Sequence, residues 1–121
     1  MTVQVDRRSG HRLRFCWPLW FGYEENGEFR RAQIADLGRE TVAFTIDCND
    51  APQWGDRVLT RFSYPMQDTL TFAMHHHLNW SEVIRVDHSD HGRCRVALRL
   101  DTPLRHWSEQ PSMLDQTVLA V

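Results

Sequence analysis

Apolar residues recur at every second position along most of this chain, and that period of two limits the fold more than any other feature of the sequence. A strand sends successive side chains to opposite faces, so Leu13, Phe15, Trp17, Leu19, Phe21 and Tyr23 fall on one face of a first strand, with Arg14, Cys16, Pro18 and Trp20 on the other. Pro18 lacks a backbone N–H and predicts an edge or a bulge. Asn26-Gly27 is a two-residue hairpin signal of type I′ and leads into a second strand over Phe29 to Asp36. Val42, Phe44, Ile46 and Cys48 alternate in a third strand that stops at Asn49-Asp50-Ala51-Pro52. A fourth follows Gly55-Asp56 over Arg57 to Tyr64 and is closed by Pro65. In a long fifth strand Leu70, Phe72, Met74, His76, Leu78 and Trp80 form the apolar face, which continues past Ser81-Glu82 through a bend or bulge into Val83 to Val86. In the last, Cys94, Val96, Leu98 and Leu100 alternate with Arg93, Arg95, Ala97 and Arg99, giving one apolar and one largely cationic face.

Six short strands separated by turn signals, with no long helical periodicity, predict an all-β fold: a small six-stranded antiparallel barrel and not a layered α/β architecture. A length of 121 residues suits one domain. The chain divides into an N-terminal arm over 1–12, the barrel over 13–102 and a C-terminal extension over 103–121. In the extension Ser112 and Asp115 open a short helix with Leu114, Val118 and Val121 on one side.

With 14 basic against 16 acidic side chains, the chain lacks the strongly basic surface of a general DNA or RNA coat, so any anion site is local. Every basic residue apart from histidine is arginine, a bias that suits planar recognition of phosphates and guanines and that genome-wide codon usage also produces. Cys16, Cys48 and Cys94 are odd in number and widely spaced, which supports neither a disulfide framework nor a paired zinc knuckle and fits a reducing cytoplasm. The apolar stretch from Phe15 to Tyr23 is short, contains Pro18 and has no small-residue cleavage site, so it reads as a strand and not a signal peptide. No run approaches the roughly 20 apolar residues of a membrane span.

Against this balance, Arg7, Arg8, Arg12 and Arg14 crowd one segment with only Asp6 to offset them. Ser9 and Gly10 disfavour a helix, leaving a flexible arm. Its guanidiniums can fork a phosphate, donate to guanine O6 and N7, or stack on a base, whereas a solvated basic arm without a ligand is the plain alternative. Arg8-Ser9-Gly10-His11-Arg12 resembles the RxxxR motif of PilZ domains, which stands just ahead of a first barrel strand. Ile34-Ala35-Asp36-Leu37-Gly38-Arg39-Glu40-Thr41 occupies the corner where that family carries D/N-x-S-x-x-G. Gly55-Asp56-Arg57-Val58, Val83-Ile84-Arg85-Val86 and Val96-Ala97-Leu98-Arg99-Leu100 follow the family's rhythm, so the resemblance runs from about Asp6 to Thr102.

The resemblance implies a signalling or adaptor domain that binds cyclic di-GMP, with no cofactor. Arg8 and Arg12 would grip phosphates and guanine edges, and Asp36 would accept hydrogen bonds from guanine N–H and amino groups. Arg7 makes the motif similar to that of members taking a stacked ligand pair, in which it would cover an exposed base. Gly38 replaces the motif serine, a loss of about 0.5–1.5 kcal/mol for one hydroxyl. Thr41 replaces the motif glycine, where a β-branched residue avoids positive φ and places a side chain at the base, and Glu40 adds a negative charge. Ligand would order the arm and alter a surface offered to an unidentified protein partner. The other reading is a degenerate PilZ domain that binds proteins through Trp20, Trp54 or Trp107.

His75-His76-His77, with His88 and His91, raise a metal site. Alternation sends His76 to the apolar face and leaves His75 and His77 outside, where no carboxylate or cysteine at ligand spacing completes the set; the reading is a polar outer face with one packed histidine and no metal. There is no glycine-rich phosphate loop, nucleophile elbow or converging carboxylate pair, and Ser9 with His11 is too local for a nucleophile and base, so no enzyme is expected.

Overall fold

The computed structural model describes residues 4–5, 13–14, 17–65 and 74–105. The described elements are strands β1 (Gln4–Val5), β2 (Leu13–Arg14), β3 (Pro18–Gly22), β4 (Arg30–Leu37), β5 (Thr41–Asp47), β6 (Arg57–Pro65), β7 (Met74–His88) and β8 (Arg93–Leu100), with two short 3-10 turns, Cys48–Asp50 and Asp90–Gly92. The order β4-β3-β6-β7-β8-β5, with β5 returning to β4, closes a six-stranded antiparallel barrel. Closure removes the unpaired sheet edges that an open sheet of this size would present.

The alternating positions fill the barrel. Leu19, Phe21, Ile34, Val42, Phe44, Val58, Phe62, Val83, Val96 and Leu98 are buried in one cluster. Phe21 stacks on Phe44 across it, with ring centroids 5.3 Å apart. The chain after β8 folds back over the β4–β5 corner. Leu100 N–H donates to Glu40 O and Leu104 N–H to Arg39 O, both at 2.8 Å, and Leu104 joins the core. Arg57 forks onto Asp101 with both guanidinium nitrogens, Nη1 to Oδ1 at 2.8 Å, and holds that carboxyl below its usual range. The expected C-terminal helix lies outside the described residues.

Three expectations are corrected. The first strand is not one run from Leu13 to Tyr23. Leu13 pairs with Leu37 and Pro18 with Gln33, so the chain takes one more step than its partner between them, and regular pairing resumes at Pro18. Tyr23 leaves the inward face altogether. Its hydroxyl donates to Asp56 Oδ2 at 2.7 Å, and desolvation with that carboxylate pushes the phenol up to about 12.

The hairpin after β3 is present without a type I′ turn. Neither Asn26 nor Gly27 has positive φ, and Gly27 N–H instead donates to Glu24 O at 3.2 Å. Gly27 thus closes a four-residue turn from its last position, where glycine is favoured in type I geometry.

The faces of β7 are the reverse of those read from its apolar residues. Leu78 and Met74 are 62% and 42% exposed, whereas His77 is buried and His75 half-buried. Register with β6 decides this: His77 lies opposite Phe62 and His75 opposite Tyr64, both core residues, and directly paired residues share a face. The irregularity in β7 falls between Val83 and Arg85, where Ile84 is the extra residue.

Two predictions follow from this core. Leu98→Ala, at a wholly buried site, lowers unfolding free energy by about 2–5 kcal/mol in denaturant titration. His77 packs 4.9 Å from the Phe62 ring, and burial lowers its pKa. The unfolded chain therefore takes up the proton first. His77 contributes stability fully above its unfolded pKa of about 6.5 and loses it as pH falls through the lower folded value. Unfolding curves of His77→Phe should show a shallower fall in stability below that pH than the parent.

Candidate functional site: a cleft on the outer barrel wall

Neighbouring strands β4, β5, β8 and β7 build one side of the barrel. Two bulges shape its outer surface. In β4, Ile34 pairs with Phe44 and Asp36 with Ala43, so Ala35 is the extra residue. The bulge lets Ile34 and Leu37 both point inward while Asp36 turns out, its side chain 13% exposed. In β7 the extra Ile84 lies across the same stretch of wall.

Between the bulges lies a cleft of about 460 Å³ lined by Asp36, Thr41, Ala43, Arg85, Arg95 and Ala97, among others. Ala43 and Ala97 are cross-strand partners and line it with methyl groups, beside Val42 and Ile84. Charge is placed at the sides: Arg95 Nη2 stands 3.9 Å from Asp36 Oδ2, and Arg85 Nε contacts Asp87 Oδ2 at 2.8 Å. The wall offers paired donors and acceptors, the Asp36–Arg95 pair being long and loose.

Of the residues singled out in the sequence, Asp36 and Thr41 line this cleft. Gly38 does not; it is buried in the β4–β5 corner, where its N–H donates to Thr41 O at 2.8 Å. Thr41 is an ordinary strand residue opposite Arg99, without positive φ, so the β-branched side chain costs no backbone strain. Its effect is one of bulk at the cleft rim. Arg7, Arg8 and Arg12 lie outside the described residues. Their point of attachment does not: Val5 pairs with Leu13, and Leu13 with Leu37, the neighbour of Asp36. Arg12 is bonded to Leu13, Cα to Cα about 3.8 Å.

Arg85, Asp87 and Arg95 were not among the sequence candidates. The cationic outer face of the last strand was the available signal for Arg95; its approach to Asp36 depends on pairing across β5. Of the tryptophans, Trp54 is 75% exposed, Trp107 lies outside the described residues, and Trp20 is flanked by the guanidiniums of Arg31 and Arg61 at 5.9 and 5.1 Å.

The sequence matches no protein-family model and no curated protein sequence. Among solved structures, that of the Bacillus subtilis inhibitor of motility (MotI/DgrA) is similar, with a TM-score of 0.60 and 13% identity over 96% of this chain and 49% of that one. This chain thus spans about half the length of that protein. At such identity the likeness is one of fold, and it joins the strand order in identifying an all-β, PilZ-like barrel.

Proposed function

We propose that this domain is a signalling adaptor that binds cyclic di-GMP on the outer barrel wall, in the cleft between Asp36 and Arg95. The observation that carries the reading is the β4 bulge. It turns Asp36 outward beside Arg95, over the Ala43–Ala97 floor, at the point where β2 brings in the chain that follows the RxxxR segment. A guanine ring fits a methyl floor. Its N1–H and amino group suit the Asp36 carboxylate, and a phosphate suits the Arg95 guanidinium once their loose mutual contact opens. Arg8 and Arg12 supply the opposing grip from the arm, and Arg7 covers an exposed base. Gly38 contributes backbone alone and Thr41 raises the rim.

No bond is made or broken in this function. Ligand draws the arm onto the wall and changes the surface that a protein partner meets. The structurally similar Bacillus subtilis protein is an inhibitor of motility, a regulatory role that an adaptor of this kind would suit. The ligand is intracellular, which places the domain in the cytoplasm under this reading; no helix among the described residues is long and apolar enough to cross a membrane. A second reading, a protein-interaction module without nucleotide, draws support from Leu78 and Met74, which stand exposed on the outer face of β7.

Calorimetric titration with cyclic di-GMP tests the proposal. Binding at micromolar ligand or tighter is expected, about −8 kcal/mol or better. Arg8→Ala with Arg12→Ala should abolish it. Asp36→Ala or Arg95→Ala should weaken it about ten- to a hundredfold, the worth of one charged hydrogen bond. A stoichiometry near two supports the role given to Arg7. Absence of heat up to high micromolar ligand would sink the nucleotide reading and leave the interaction module.

A further inference from the structure

The same wall carries a second group of residues at the ends of β5, β7 and β8, where Cys48 meets two residues some forty positions further along the chain. Ile46, Cys94 and His88 form one row across β5, β8 and β7, Cys94 being the direct partner of both others. Cys48 follows Ile46 by two residues, just past the end of β5. The result is that Cys48 Sγ, Cys94 Sγ and a ring nitrogen of His88 all lie within 4.8 Å of one another at the mouth of the barrel. His88 Nδ1 is 3.3 Å from Cys94 Sγ and 3.6 Å from Cys48 Sγ.

These separations have a chemical meaning. Two sulfurs converge on one imidazole nitrogen, whose single lone pair can accept only one good hydrogen bond. Around a tetrahedral zinc ion, with zinc–sulfur bonds of about 2.3 Å and zinc–nitrogen bonds of about 2.05 Å, sulfur and nitrogen ligands stand roughly 3.6 Å apart. The observed distances are close to that edge length. Two thiolates and a neutral imidazole would leave a bound divalent ion formally neutral, which suits the half-buried position. The donor set contains sulfur and nitrogen and no carboxylate, so it selects a thiophilic cation over magnesium or calcium.

The supporting turns are fixed. Asp47 Oδ1 accepts the Asn49 N–H at 2.9 Å, which sets the turn bearing Cys48. Between His88 and Cys94, Ser89 bonds the Arg93 carbonyl through both N–H and hydroxyl, at 2.8 and 2.9 Å, with His91 and Gly92 in left-handed conformation. On the outer side of the three residues, a cavity of about 540 Å³ is bordered by Asn49, Gln53 and Trp54.

We infer that Cys48, Cys94 and His88 form a binding site for one zinc ion, with the fourth coordination position open to this cavity for water or an outside ligand. The assignment does not depend on cyclic di-GMP. It replaces the sequence expectation of no metal, which looked for cysteine near His75 and His77; those histidines face the barrel interior along β6, and Cys48 and Cys94 meet His88.

The test uses the full chain, reduced and metal-free, carrying Cys16→Ser so that only two thiols remain. Cobalt(II) titration should produce thiolate-to-metal charge-transfer absorption that saturates at one equivalent and is displaced by zinc. Competition with a chromophoric chelator then gives the zinc affinity. Cys48→Ser and His88→Ala each alter a residue outside the fully buried core, and circular dichroism of the metal-free variants checks that the barrel is kept. Each should weaken zinc binding roughly a hundredfold or more, and Cys48→Ser should also remove about half the charge-transfer intensity. No saturable binding at one equivalent, or binding that persists at parental affinity in either folded variant, would overturn the assignment.

Discussion

Closure of the sheet through β5 is the constraint on which everything else in this domain rests. That strand pairs along its whole length with β8, from Thr41 opposite Arg99 to Asp47 opposite Arg93, and on its other side returns to β4. With both sides of β5 taken, no strand of the six can slip against its neighbours without opening the barrel. A slip of one residue would send Phe44, Val96 and Leu98 to solvent and bring Arg95 and Arg99 inside. The hydrophobic core and the position of each charged side chain on the outer wall are therefore set by the same ladder.

The bulges at Ala35 and Ile84 interrupt this regularity within the described ladders of β5 and β8, beside the cleft. Without the first, strict alternation from Ile34 would direct Asp36 into the core, where an ionised carboxylate is very costly. One inserted residue moves the acid from the core to the outer wall, beside Arg95. The local departure from pairing is small, and its chemical effect is large because it sets Asp36 beside the Arg95 guanidinium instead of among apolar side chains.

Much of this architecture was legible in the sequence. The third, fourth and last strands were predicted within about a residue of β5, β6 and β8, since each carries its core residues at alternate positions between clear breakers. What failed was local pattern read without its partner. His75 and His77 carry no sign that they face inward, and Met74 and Leu78 carry an apparent sign that they do; Phe62 and Tyr64 across the hairpin overrule both. Asn26-Gly27 marked a turn correctly and its type wrongly, because the loop is longer than the two residues the motif implies. Asp36 and Thr41 could be picked from a motif. Arg95 as their neighbour, and Cys48 beside Cys94 and His88, could not, because each meeting is made across paired strands from residues tens of positions apart.

The hydrogen bonds from Leu100 and Leu104 to the carbonyls of Glu40 and Arg39 place the outgoing chain on the same rim that receives β2 at Leu37. The β4–β5 corner is thus a common tether for the segments on either side of the barrel. Both are hitched to a turn only a few residues from Asp36. A load applied at β2 or at Leu104 therefore reaches the cleft through backbone bonds alone.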